Sequence, residues 1–293
     1  MLSVAVVGAS PLGGSIAHRL AAQSGVREVR LIDSAVSVAE GTALDIQQAG
    51  PVEQFDTAVV GKGNLHDVVG VDIVVLAGPA GGATLEWSEE AGLEVLEQIA
   101  RLNHHALVVC AGSTHRSLVE RAVASRWLAR RRVIGSGPSA LAAAIRAIVA
   151  LELRCSAGDV SLAVLGRPPQ HLVVPWSEAS VRGVTVPRLL EPQRLASLQR
   201  RVALIWPPGP YALAAAAARL CNSVANGTAD RGFPCYVVLE GELGVRGSAV
   251  AVTVELDATG VSRVVEPVLS VRERTQLESA LRIAPTPTPD AGP

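Results

Sequence analysis

Seven residues, Gly8-Ala9-Ser10-Pro11-Leu12-Gly13-Gly14, separate an apolar strand pattern, Val4-Ala5-Val6-Val7, from a helical stretch running from Ser15 to Ala22. A chain that leaves a buried strand through glycine and enters a helix at once turns tightly. Its backbone can then approach a phosphate, and the helix N-terminal amides face the anion. Asp33 ends the next strand pattern, 20 residues after Gly13. A carboxylate there can accept both ribose hydroxyls of an adenosine and repels a 2′-phosphate. The pattern predicts a dinucleotide site on Gly8, Ser10, Leu12, Gly13 and Asp33 that prefers NAD to NADP. Ser10 stands at the middle glycine position, where a side chain crowds the pyrophosphate. A plain strand-to-helix turn, with Asp33 capping the next element, would use the same residues.

Around this turn, short β-branched runs alternate with helix-length segments: Val29-Arg30-Leu31-Ile32, Ile73-Val74-Val75-Leu76, Ala106-Leu107-Val108-Val109 and Val133-Ile134. Such alternation predicts right-handed βαβ units and a parallel sheet covered on both faces. From Ser139 the pattern changes to a long helix through Leu153, strands at 160–165 and 172–174, helices at 193–205 and 211–225, strands at 235–239 and 249–256, and a last helix over 271–283. The expected fold is α/β: a Rossmann-type doubly wound domain over 1–138, followed by a mixed α+β domain over 139–283. Proline at 285, 287 and 289 removes backbone donors, so 284–293 is expected to be a disordered tail.

Composition narrows the class of partner. The formal charge of -1 and a pI near 6.6 give none of the concentrated positive charge that displaces counterions from nucleic acid. Arginine supplies nearly all the cations, Lys62 being the only lysine. Cys110, Cys155, Cys221 and Cys235 are widely spaced and form no CxxC pair, which predicts four buried thiols and neither a zinc site nor a disulfide framework. The chain enters a strand at once and has no apolar run of membrane-spanning length. That predicts a cytoplasmic protein with no membrane partner.

The run Leu31-Ile32-Asp33, with Glu40-Gly41-Thr42-Ala43-Leu44-Asp45-Ile46, closely resembles the malate/lactate dehydrogenase family. The likeness continues through Ile73-Val74-Val75-Leu76-Ala77-Gly78, Val133-Ile134-Gly135, Tyr211-Ala212-Leu213-Ala214-Ala215 and Gly260-Val261-Ser262-Arg263-Val264-Val265-Glu266, nearly the whole chain. It implies NAD as cofactor, with Ala77 and Gly78 also against it. It further implies a homo-oligomer, at least a dimer, built on apolar helices such as 39–48 and 211–225.

The same resemblance places the family's chemistry on residues that cannot perform it. Two substrate-binding arginines fall at Gly81 and Trp87, where no guanidinium can fork onto a carboxylate. The Asn-Pro beside the nicotinamide becomes Ala111-Gly112-Ser113-Thr114-His115. The aspartate that orients the catalytic histidine falls at Leu141, the next arginine at Ala144, and the histidine itself at Pro168. Pro79-Ala80-Gly81-Gly82-Ala83-Thr84 keeps the flexibility of a lid without its charge. A shifted alignment offers His171 as a substitute acid/base, with Arg146 or Arg167 as an anion clamp, and His115 is a further histidine near the pocket. His104 and His105 follow a helix, which suits helix-terminal interactions. Three functions remain in view: an NAD-binding protein without the ancestral activity that regulates or scaffolds a partner, an oxidoreductase with a reorganised pocket and unknown substrate, and a structural subunit that binds no nucleotide.

Overall fold

The computed structural model describes residues 1–226 and 232–282. The expected tail over 284–293 lies outside the described residues. In the first half, β1 (Leu2–Val7), α1 (Pro11–Ala21), β2 (Val26–Ile32), α2 (Val36–Glu53), β3 (Ala58–Lys62), β4 (Ile73–Leu76), α3 (Glu89–Leu102), β5 (Leu107–Cys110), α4 (Arg116–Ala124) and β6 (Val133–Gly135) follow in order. The strands align as β3-β2-β1-β4-β5-β6, all parallel. Chain order reverses between β1 and β4, and in such sheets ligands bind beyond the strand C-termini at that point. Gly8 and Asp33, at the ends of β1 and β2, stand there.

Alternation along β1 explains why the sheet is buried on both faces. Val4 and Val6 point into a core with Leu12, Ile16 and Leu20 of α1 and Leu213 and Ala217 of the later helix Pro210–Asn226, while Ala5 and Val7 face Leu96 and Ile99 of α3 and Leu118 of α4. Residues with small side chains set the close approaches. A Cβ on Gly61 of β3 would lie 2.4 Å from the backbone of Glu40, so the Glu40-Gly41 turn of α2 packs directly on the strand. β3 is an edge strand that the apolar pattern did not reveal.

The second half holds α5 (Gly137–Leu153), β7 (Val160–Ser161), β8 (Leu165–Arg167), β9 (His171–Val173), β10 (Ser180–Val181), β11 (Val184–Thr185), α6 (Val186–Leu189), α7 (Pro192–Val202), α8 (Pro210–Asn226), β12 (Phe233–Glu240), β13 (Arg246–Asp257), β14 (Gly260–Val265) and α9 (Val271–Arg282). The expected strand over 160–165 is two strands. β7 joins a small sheet with β10 and β11, while β8 pairs with β9 and β13. β12 runs antiparallel to β6 through Tyr236 and Gly135, so one eleven-stranded sheet crosses from the first half into the second. Three thiols are buried, but Cys155 is half-buried, because it follows the left-handed turn at Arg154 that ends α5. Among the described residues no helix is long and apolar enough to cross a membrane.

Candidate functional site

The turn after β1 is held by close backbone packing. Gly8 has φ +105°, and a Cβ there would sit 2.2 Å from the Gly78 carbonyl; a Cβ on Gly13 would sit 1.9 Å from the Gly8 carbonyl. The Ser10 amide donates to the Gly78 carbonyl at 3.0 Å, which ties the glycine turn to the end of β4. Ser10 caps α1: its hydroxyl accepts the Gly13 amide at 3.4 Å and donates to the Leu85 carbonyl at 2.9 Å. Leu12 is fully buried behind this turn. Gly8, Ser10, Leu12, Gly13, Ala77 and Gly78 thus meet at one place, as the sequence led us to expect.

Asp33 joins them, and its carboxylate is engaged. Oδ2 accepts the amides of Ala9 at 2.7 Å and Ala80 at 2.8 Å, and Oδ1 accepts the amide of Ala35 at 2.9 Å. A carboxylate offers about four lone-pair positions, so three amides leave little of it open. The group is 5% exposed.

Residues 79–88 run from the end of β4 to the start of α3 and lie against these groups. Gly81 is exposed with φ +68° and open space where a side chain would go. Leu85 receives the Ser10 hydroxyl, and the Trp87 amide donates to the Ala77 carbonyl at 3.2 Å. The Trp87 indole Nε1 donates to the Val7 carbonyl at 3.3 Å, which puts an aromatic ring across the end of β1.

Glu86 is the residue that sequence reasoning missed. Oε1 accepts the Ser113 amide and hydroxyl, each at 2.8 Å, and Oε2 accepts the Thr114 amide at 3.1 Å and hydroxyl at 2.8 Å. The carboxylate therefore sits just before the N-terminus of α4, where the helix dipole favours negative charge. Burial acts to raise its pKa; the Ser113 amide, His115 and Thr114 outweigh it and hold the carboxyl below the ordinary range. The only hint in the sequence is an acid beside a tryptophan at the end of a glycine-rich segment.

His115 is 1% exposed. Its Nδ1 accepts the Gly112 amide at 3.1 Å, so the neutral ring carries its proton on Nε2, which is buried without a hydrogen-bond partner. Burial pushes its pKa well below the ordinary imidazole value, against the opposing pull of Glu86. Leu12, Leu85, Glu86, Trp87, His115 and Leu213, with the turn Pro207–Pro210, bound a cavity of about 610 Å³.

The other sequence candidates lie elsewhere. Leu141 is buried in a separate core with Tyr236 and Ala251, Ala144 is half-buried on α5, and Pro168 is buried at the end of β8. None of the three lines the cavity at Glu86. His171 opens the edge strand β9 and lines a groove beside α9 with Gln276 and Glu273, so the structure does not bring it to the pocket as a substitute acid/base. Arg167 donates to Ser248 at 2.9 Å, and Arg146 leans on the Ala157 carbonyl; neither borders the cavity at Glu86. Burial pushes the thiols of Cys110, Cys221 and Cys235 up to about 12, which removes them as nucleophiles.

Residues 2–83 match the family model described as lactate/malate dehydrogenase, NAD binding domain. A malate dehydrogenase of Chlorobium phaeobacteroides is 31% identical over 94% of both chains. The chain belongs to the lactate/malate dehydrogenase family. Within it, a malate dehydrogenase of Desulforudis audaxviator is 29% identical over 95% of this chain and 94% of its own length. The solved malate dehydrogenase of Salinibacter ruber superposes with a TM-score of 0.86 at 25% identity, covering 95% of this chain and 94% of that one. The lactate dehydrogenase of Cryptosporidium parvum, solved with lactic acid and the dinucleotide, has a TM-score of 0.86 at 22% identity over 95% of this chain and 94% of its own, a likeness of fold. The cofactor of the matched domain is NAD. The residues present fit it: Asp33 closes β2, α1 opens at the switch point, and glycines line the turn between them.

Proposed function

We propose that the chain is an NAD(H)-binding member of the lactate/malate dehydrogenase family that does not interconvert malate with oxaloacetate or lactate with pyruvate, and that it serves as a regulatory or scaffolding subunit. The observation that carries this reading is the side chains at the positions the resemblance assigns to substrate binding and acid/base chemistry, Gly81, Trp87, Leu141, Ala144 and Pro168, none of which carries a charge or an acid/base group. Among the described residues that bound the cavity at Glu86 there is no arginine, and its polar lining includes the Glu86 carboxylate and the neutral His115 imidazole.

A 2-oxo acid needs its carboxylate gripped and its carbonyl polarised, which guanidinium groups do by bidentate hydrogen bonding. Gly81 offers no side chain, the Trp87 indole is turned onto Val7, and Ala144 and Leu141 carry no charge. Reduction of a ketone also needs a proton delivered to the developing alkoxide, and Pro168 has none to give. NAD, when bound, supplies the hydride chemistry; the residues of this chain bind and orient it, with Asp33 toward the ribose.

Scaffolding draws support from α2, where Val36, Val38, Leu44 and Val52 are exposed on a helix that a second copy would cover. A second reading, an oxidoreductase with a reorganised pocket, has one observation in its favour: the unpartnered Nε2 of His115 beside Glu86. Calorimetric titration with NADH, paired with turnover measurements on the four acids, tests both. NADH binding without turnover supports the first reading, turnover abolished by His115→Ala supports the second, and absence of binding returns the chain to a purely structural role.

A further inference from the structure

We propose that residues 79–88 form a strap, latched by Glu86, that docks in the dinucleotide cleft of this chain and must be displaced before a dinucleotide enters. This rests on the reading of the cleft as an NAD site. The strap satisfies, one after another, the groups that face a dinucleotide at a switch point. Ala80 donates to the Asp33 oxygen where a ribose hydroxyl would donate. Leu85 takes the hydroxyl of Ser10 at the opening of α1, where a pyrophosphate is expected. Trp87 covers the end of β1 through its indole, and its amide ties it to Ala77 just past β4.

Glu86 holds the far end. Its four hydrogen bonds to Ser113 and Thr114 cross from the β4 loop to the β5 loop. Within the strap, the Thr84 hydroxyl braces the Glu86 carbonyl at 2.6 Å. The glycines at 81 and 82 are exposed, and no neighbour meets the Gly81 Cβ position, so the strap can bend here without unpacking a core. A charged latch at its far end and exposed glycines within it distinguish a displaceable strap from an ordinary wall, which would be packed along its length.

A ligand that binds only the open state has its apparent affinity reduced to the open fraction of the intrinsic value. The test is calorimetric titration of the full chain with NADH, in the native protein, Glu86→Ala and Thr114→Val, with amide hydrogen exchange on the same samples. Glu86→Ala is expected to tighten NADH about tenfold or more and to release protection at the Ala80 and Trp87 amides. Thr114→Val, an exposed and mild change, moves both readouts the same way by less. Equal or weaker NADH binding in both variants, or amides that stay protected, overturns the strap while leaving the NAD reading intact. No binding in any of the three overturns both.

Discussion

Glu86 and Ser113 are joined twice, amide and hydroxyl of the serine converging at 2.8 Å on a single carboxylate oxygen. This pairing puts a carboxylate, already satisfied by the protein, on the wall of the cavity that Trp87 and His115 also line. Under the proposed function the chain separates two properties that the fold usually carries together, a dinucleotide domain, which it retains, and a substrate grip, which it lacks.

Cofactor choice follows from Asp33. NAD and NADH are expected to bind more tightly than NADP by about tenfold or more, because the carboxylate repels a 2′-phosphate. Parallel calorimetric titrations measure this, and equal affinities would show that Asp33 does not face the ribose. Asp33→Asn also removes a charge that takes three amides, so it is expected to lower stability by on the order of 1–3 kcal/mol in denaturant unfolding.

The buried imidazole of His115 makes stability depend on pH. Its folded-state pKa is depressed by burial below the ordinary value of 6.5, so between that value and the depressed one the unfolded chain binds a proton that the folded chain does not. Stability therefore rises with pH through this window and is lost as pH falls, with a slope of at most about 1.4 kcal/mol per pH unit. Thermal midpoints of the native protein and His115→Asn, taken from pH 4 to 7, are expected to differ in slope. Identical slopes would assign the proton to another group.

Glu273 is a second linked site. Burial acts to raise its carboxyl, but the hydroxyls and amides of Ser177 and Ser270 prevail and bring it down to about 2. Its contribution is complete above the ordinary carboxylate value of 4.5 and disappears as pH falls toward 2. Glu273→Gln is expected to cost on the order of 1–3 kcal/mol at neutral pH and little at pH 2. A loss unchanged by acid would mean that packing of α9, rather than charge, accounts for it.

The exposed apolar residues of α2 predict self-association. Leu44 is 58% exposed and Val52 83%. Light scattering at micromolar concentration should give at least a dimer mass, with Leu44→Arg shifting it toward monomer. A monomer mass in the native protein would remove the scaffolding role.

The nucleotide turn was legible because it is local: a strand, two glycines, a helix and an acid lie within about thirty residues and impose their geometry through the backbone. β3 and β14 were not, since an edge strand such as Ala58–Lys62 leaves alternate residues exposed and carries glycine and lysine without penalty. The break in 160–165 was equally hidden, because an apolar run does not say which sheet it joins. Glu86 escaped for another reason. Its partners are 27 and 28 positions away, and before the fold is known it reads as a charge preceding helix α3. His171 shows the converse: proximity in sequence to Pro168 suggested a place in the pocket, and the β8-β9 turn carries it to another groove.

The central claim, a dehydrogenase scaffold without the ancestral reaction, is tested most directly by steady-state absorbance of the reduced cofactor. Purified protein is assayed with malate, oxaloacetate, lactate and pyruvate at saturating NAD or NADH. A positioned acid/base alone is typically worth about 10²–10⁴-fold in rate, and the missing carboxylate anchor acts on the same transition state. The account predicts no turnover above the protein-free control with any of the four acids. Robust turnover with any one of them would contradict it.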